Sequence, residues 1–163
     1  MNAQKLFLTF LGTGFSPKNP AIAAALAALL TGLAILTYFG METLFMLTLA
    51  VVVIGIFEIN KYMNLHKEDV SEIIVIDKVA GMWLSLMIAF STAVTMQYPY
   101  ADMAAVLLSF LGFTLFDIWK PSTIGWIAGE VKGGLGKMMS SVLSGIAGGL
   151  LSVVVLMGMA RVF

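Results

Sequence analysis

Long uncharged stretches alternate with short polar ones along the chain. No Asp, Glu, Lys or Arg occurs in residues 19–41, 43–57, 79–101, 103–116 or 138–160. A helix needs about 20 residues to cross the hydrocarbon core of a bilayer, so the first, third and fifth stretches are long enough as they stand. The second and fourth are short. Each reaches spanning length if a terminal charge, Glu58 or Asp117, lies at the interface or meets a partner inside the bundle. The pattern therefore predicts an all-α integral membrane protein, one domain over 1–163, with about five transmembrane helices at 20–40, 42–59, 78–99, 102–118 and 138–160. Residues Ala3–Leu11 are too short to span and are expected to lie in the interface as a short N-terminal helix. No repeat with a period of 20–50 residues is visible.

The basic residues give an orientation. Lys5 and Lys18 precede the first span, Lys61, Lys67 and Lys78 fall between the second and third, and Lys120, Lys132 and Lys137 fall between the fourth and fifth. The turns at Gly40–Glu42 and Pro99–Asp102 have none, and Arg161 alone argues the other way. The positive-inside rule puts segments 1–18, 59–78 and 118–138 in the cytoplasm. Composition agrees: 60% of the 163 residues are hydrophobic and 11% charged, against about 25% charged in soluble domains. A net charge of zero removes any strong drive toward nucleic acid. With no cysteine there is neither a disulfide nor a thiolate metal site. The first 20 residues lack the pattern of a cleaved signal peptide.

The last span carries small residues four apart on two adjacent rows, Ser141, Gly145, Gly149 and Ser144, Gly148, Ser152. Such spacing lets helix backbones approach in lipid. Packing within the chain is the first expectation, with the alanine-rich first span up to Gly32 as a partner face. A homodimer seam is the second. The 12 methionines read as adaptable core filler.

Three polar clusters fall on the cytoplasmic side. Gly12-Thr13-Gly14-Phe15-Ser16-Pro17-Lys18-Asn19-Pro20 precedes a helix start, where backbone N–H groups favour an anion, although such a loop also reads as a plain turn. Asp69–Gly81 brings Asp77 to the membrane boundary, where an unpaired carboxylate is costly. The stretch from Asp117 through Lys120-Pro121 to Gly133-Gly134-Leu135-Gly136-Lys137 offers a carboxylate, lysines and a glycine turn, or simply a solvated loop with interfacial lysines. Gly136-Lys137 is not a P-loop, since Met138 follows and the earlier glycine is missing. His66, the only histidine, stands in a polar loop, and no zinc site is indicated.

In this order and at these places between spans, the clusters resemble the phosphatidylglycerophosphatase A family. Gly12–Ile22 resembles its G-x-G-x-x-P-x-x-P-G-T motif, and Asp77–Trp83 its D-E-x-x-G-M-W motif. Thr114–Pro121 resembles R-x-x-D-x-W-K-P, and Gly133–Gly145 resembles G-G-x-G-x-M-x-D-D-x-x-A-G. The resemblance implies a membrane phospholipid enzyme, a hydrolase that removes phosphate from phosphatidylglycerophosphate with Mg²⁺. It implies Asp77 and Asp117 as catalytic and metal-binding residues. It also implies Gly12, Gly14, Ser16, Lys18, Lys120 and Lys132 as binders of an anionic phospholipid headgroup.

The chain departs from those motifs at polar positions. Ala21-Ile22 stand where the family has Gly-Thr, Lys78 where it has Glu, and Thr114 where it has Arg. Ala128-Gly129 replace an Asp-Arg pair, and Ser140-Ser141 replace paired aspartates. Magnesium is a hard cation held by carboxylate and phosphate oxygens, so Asp77 and Asp117 alone make a poor cage, and Lys78 opposes the metal if it points inward. Three functions remain open at this point. They are a lipid phosphatase, a catalytically inactive relative (natural or engineered) that keeps the fold and an anionic-lipid pocket, and a small transporter. Few ionisable residues lie within the spans to line a transport path.

Overall fold

Local chemistry sets where the first long helix begins. The Asn19 side-chain oxygen accepts from the Ile22 N–H at 3.3 Å, satisfying one of the donors that a helix start leaves free, and Pro20 supplies a fixed φ at a position needing no N–H. The computed structural model describes residues 3–15, 17–65, 74–96, 100–119, 122–131 and 133–162. Of the residues singled out above, Ser16, His66, Lys67, Asp69, Pro99, Lys120, Pro121 and Lys132 lie outside these, as does the side chain of Ala128.

The described helices are α1 (Ala3–Leu8), α2 (Pro20–Tyr38), α3 (Met41–Leu65), α4 (Ile76–Thr95), α5 (Ala101–Trp119), α6 (Ser122–Glu130) and α7 (Gly133–Val162), with a 3-10 turn at Thr13–Phe15. No strand occurs among the described residues. Five helices, α2, α3, α4, α5 and α7, are long and apolar enough to cross a membrane. Both short uncharged stretches lie within longer helices. Glu58 and Lys61 lie inside α3, whose 25 residues give a rod about 37 Å long at the α-helical rise. Asp102 and Asp117 lie in the first and last turns of α5.

Three features differ from expectation. Residues 133–137, read above as a glycine turn, are the first turns of α7. The segment between α5 and α7 contains a further helix, α6. The N-terminal helix stops at Leu8, and Phe10 and Leu11 take left-handed backbone conformations. Leu8 is buried and joins the main apolar core.

α4 sits at the centre, packed against α2, α3, α5 and α7, and it is the least apolar of the five long helices. A helix ringed by protein needs fewer lipid-compatible side chains than one facing acyl chains. The outer faces of the others are apolar and exposed, as with Phe45, Met46 and Val53 of α3, Leu107 and Leu111 of α5, and Leu150 and Val154 of α7.

The small-residue rows of α7 turn inward. A Cβ on Gly145 would run into the Gly81 carbonyl of α4, and one on Gly112 of α5 would come within 2.7 Å of the Gly148 carbonyl oxygen. Ser141, Ser144, Gly145, Gly148, Gly149 and Ser152 are all buried within the single chain. Those rows are consumed by α4 and α5, so a seam between two copies through them would require opening the bundle. The alanine-rich face of α2 meets α4 instead of α7: Trp83 lies over Gly32, and its indole N–H donates to the Ala28 carbonyl at 2.8 Å. Ser85 of α4 likewise donates to the Ser109 carbonyl of α5 at 2.9 Å.

Gly145→Ala is expected to force α4 and α7 apart and cost about 1–3 kcal/mol, the usual range for overpacking. Gly158→Ala, where a Cβ meets nothing within 4 Å, should leave stability unchanged or slightly raised. Thermal unfolding of both variants in one detergent checks the difference.

Candidate functional site

Antiparallel packing of α4 against α5 places the first turn of α4 beside the last turn of α5, and α7 begins at the same end. Asp77 and Lys78 come from α4, Asp117 from α5, and Ser141 and Lys137 from α7, one turn apart on the same face. Several contacts fix this end. The Val75 N–H donates to the Leu8 carbonyl at 2.9 Å, which brings the N-terminal segment next to Asp77. The Gly134 N–H at the start of α7 donates to the Asn60 side-chain oxygen near the end of α3 at 2.7 Å.

At the centre lies the Lys78 ammonium. Its Nζ is 3.0 Å from Asp77 Oδ2 and 3.0 Å from Asp117 Oδ1, and it donates to Ser141 Oγ at 3.3 Å. The Ser141 hydroxyl in turn donates to Asp77 Oδ2. Asp77 is 0% exposed, and Lys78 and Asp117 are 7% exposed. Ionised groups with so little water persist only when paired and hydrogen-bonded. Lys137, half-buried on α7, adds a second positive charge that acts on Asp77. Two carboxylates and two ammonium groups therefore form a neutral cluster. One acceptor, Asp77 Oδ1, remains buried without a partner, as does the Thr114 hydroxyl one turn before Asp117.

The close backbone contact of α4 with α7 explains why a residue as short as serine reaches Asp77. A Cβ on Gly81 would run into the Ser141 carbonyl, so at this level no side chain separates the helices. Ser140 points elsewhere, and its hydroxyl donates to the Lys137 carbonyl of its own helix at 3.1 Å.

Over residues 6–156 the sequence matches the family described as phosphatidylglycerophosphatase A. The chain belongs to that family. It is 29% identical over 148 residues to "Phosphatidylglycerophosphatase A" of Escherichia coli, covering 89% of this chain and 78% of that protein. It is 34% identical over 142 residues to a Bacteroides thetaiotaomicron protein described as "Putative phosphatidylinositol-3-phosphatase", covering 85% and 84%. No solved structure matches significantly. The chain is thus a multi-pass, phosphatidylglycerophosphatase A-like membrane protein.

Seen from this family, the substituted positions divide. Lys78 and Ser141 converge on Asp77 and Asp117, Thr114 stands one turn before Asp117 with its hydroxyl buried and unpartnered, and Ser140 faces its own helix. Ala21 and Ile22 form the half-buried first turns of α2, and Gly129 lies exposed on α6. Gly12 and Gly14 stand in the turn after α1, with Gly14 buried and Lys18 exposed beyond it. The glycines at 134 and 136 serve packing rather than a phosphate cradle, because a Cβ would strike the Ile56 or Val131 carbonyl. Lys78, counted above among the lysines of a cytoplasmic segment, is buried between aspartates.

The residues present do not fit magnesium. That ion requires near-octahedral oxygen ligands at about 2.0–2.1 Å, and the shared carboxylate oxygens already hold an ammonium. A divalent ion about 4 Å from that ammonium meets roughly 8 kcal/mol of repulsion at an effective dielectric of about 20. Among the described residues no group of three His, Cys, Asp or Glu converges.

Sequence reasoning missed two residues. Asn60 was an available signal, an uncharged polar group near the end of an otherwise apolar span. Ser141 reads in the sequence as a small packing residue and a lost acid, although it donates a hydrogen bond at the centre of the cluster.

Ser141→Ala should cost about 1–3 kcal/mol, the range for leaving a buried partner unsatisfied. Ser140→Ala, which removes only a bond back to its own helix, should stay within about 0.5 kcal/mol of the parent. Thermal unfolding of the two variants side by side distinguishes them.

Proposed function

We propose that this chain is a non-hydrolysing member of the phosphatidylglycerophosphatase A family that binds anionic phospholipids with a terminal phosphate monoester at one membrane face. The carrying observation is the position of Lys78, 3.0 Å from both Asp77 and Asp117. The family reaction implied by resemblance uses Mg²⁺ to stabilise charge on the transferred phosphoryl group. With an ammonium between the two carboxylates, that route lacks its site. The ligand class rests on the two relatives, whose names denote phosphatases of lipids carrying phosphate on the headgroup. It rests also on the lysines at this end: Lys18 and Lys61 are exposed and Lys137 is half-buried, with Lys120 and Lys132 nearby in sequence. Among the described helices no row of charged side chains runs through the bundle, so transport has no comparable support.

The test is phosphate release from phosphatidylglycerophosphate by the purified protein with saturating Mg²⁺. Release is expected to match an empty-membrane control, and release above it that disappears in Asp77→Ala would overturn the proposal. The purified protein in detergent should retain phosphatidylglycerophosphate in native mass spectrometry in preference to a neutral phospholipid, and equal retention of both removes the binding half of the reading. Combining Lys78→Glu, Thr114→Arg, Ser140→Asp and Ser141→Asp is expected to raise release above background. A folded but inert combination counts against the view that these positions silenced the site.

We further place the polar end in the cytoplasm of a bacterial inner membrane, on the distribution of lysines. The cysteine-free sequence permits a direct check. Lys18→Cys should react with a membrane-impermeant thiol reagent only from the cytoplasmic side, and Tyr100→Cys, exposed at the other end, only from outside.

A further inference from the structure

We propose that a groove between α3 and α4, at the membrane face opposite the Lys78 cluster, binds a phospholipid with a primary-ammonium headgroup. The acyl chain lies along the two helices and the ammonium meets Glu42. The site is about 20 Å from Lys78 along α4, and it does not depend on whether the other face hydrolyses or binds a lipid phosphate.

Helix packing leaves the space. Toward the Lys78 end, α3 lies close against α7. A Cβ on Gly55 would run into the Met138 side chain, one on Gly134 would strike the Ile56 carbonyl, and Asn60 accepts from the Gly134 N–H. Toward the other end the side chains of α3 beside α4 are large. A groove of about 620 Å³ opens there, with Met41, Phe45 and Met46 of α3 on one side and Leu84, Met87 and Ile88 of α4 on the other. That volume falls within the range of small-molecule sites. The lining suits an acyl chain, since the three methionines are unbranched and adapt to an irregular partner. Ser91 also lines the groove, but its hydroxyl already donates to the Met87 carbonyl of its own helix at 2.7 Å. From Ser91 to Leu84 the groove runs about 10 Å along α4, which fits within one leaflet of a hydrocarbon core about 30 Å thick.

The mouth selects the headgroup. Of the lining residues only Glu42, in the first turn of α3, is charged. It is exposed, and among the described residues no basic side chain pairs with it. Arg161, in the last turn of α7, is the only basic residue of the described helices at this end. Glu42 and Lys61 stand about 28 Å apart along α3, so with Lys61 at one interface Glu42 reaches headgroup depth at the other. A primary ammonium there both neutralises the carboxylate and donates charge-assisted hydrogen bonds to it. A trimethylammonium headgroup brings the charge without an N–H donor. A phosphoglycerol headgroup is net negative and is repelled. The expected order of affinity is therefore phosphatidylethanolamine, then phosphatidylcholine, then phosphatidylglycerol.

Native mass spectrometry of the full chain in detergent tests this, with the three lipids matched in acyl chains and competing at equal concentration. The parent should retain phosphatidylethanolamine over phosphatidylglycerol by about three- to fivefold, the scale of one ion pair near water. Glu42→Gln should remove that preference. Asp102→Asn, which removes a carboxylate at the same face but outside the groove, should keep it. Ser91→Phe, at the exposed rim, should lower retention of all three lipids, whereas Leu107→Phe on the exposed face of α5 should not. These surface changes should leave Tm within about 2 °C of the parent. The Glu42 and Asp102 variants decide alone if Ser91→Phe fails to fold. Equal retention of the three lipids by the parent, an undiminished preference in Glu42→Gln, or its loss in Asp102→Asn would overturn the proposal. So would unchanged retention in a folded Ser91→Phe, or a lipid-free dimer that this variant dissociates, because a second copy would then fill the groove. Failure to retain phosphatidylglycerophosphate would defeat the functional proposal and leave this one standing.

Discussion

A lysine ammonium held between two aspartates at the edge of a lipid-embedded bundle is tolerable only while all three groups stay together. Each charge alone would cost several kcal/mol at such burial. Because the groups come from α4 and α5, and because Ser141 and Lys137 of α7 complete the arrangement, three helices must hold their relative rotation and depth. A shift of one helix by a turn would leave an uncompensated charge in an apolar setting. The polar cluster thus selects one register among the several that apolar packing alone would permit.

The apolar packing allows this precision by bringing backbones into contact. Gly81 against Ser141 and Gly145, and Gly112 against Gly148, leave no side chain between the helices. In lipid, where burial of apolar surface gives no advantage over exposure to acyl chains, such contacts and the interhelical bonds of Trp83 and Ser85 carry association. Short serine side chains then span the remaining gap. The same close approach that holds the helices together makes Ser141 an effective partner for Asp77.

Much of this was legible from residue order. The five long helices follow from the spacing of charges, and Glu58 and Asp117 extended the short stretches as pairing or interfacial placement requires. The small residues of the last span correctly announced close contact. What spacing could not give was the partner of each face, since α2 and α7 both carry small residues yet α2 packs on α4 through Trp83. It also could not tell a helical glycine from a turn glycine at 134 and 136, because the deciding carbonyls belong to Ile56, on another helix, and Val131. The site was half legible. Asp77 and Asp117 did converge, but whether Lys78 faced solvent or the carboxylates depended on the rotation of α4. Asn60, and the hydrogen bond from Ser141 to Asp77, emerged only once distant segments were side by side.

Chain order gives the cluster a history during synthesis. Asp117 and Ser141 lie 39 and 63 residues beyond Lys78, so a ribosome delivers α4 to the membrane well before either partner exists. Asp77 is the only member of the cluster made together with Lys78, and as its neighbour at 3.0 Å it gives the pair neutrality from the moment of insertion. α4, the least apolar span, can therefore enter beside α2 and α3 with its charges already matched. It then waits for α5 and α7 to close around it.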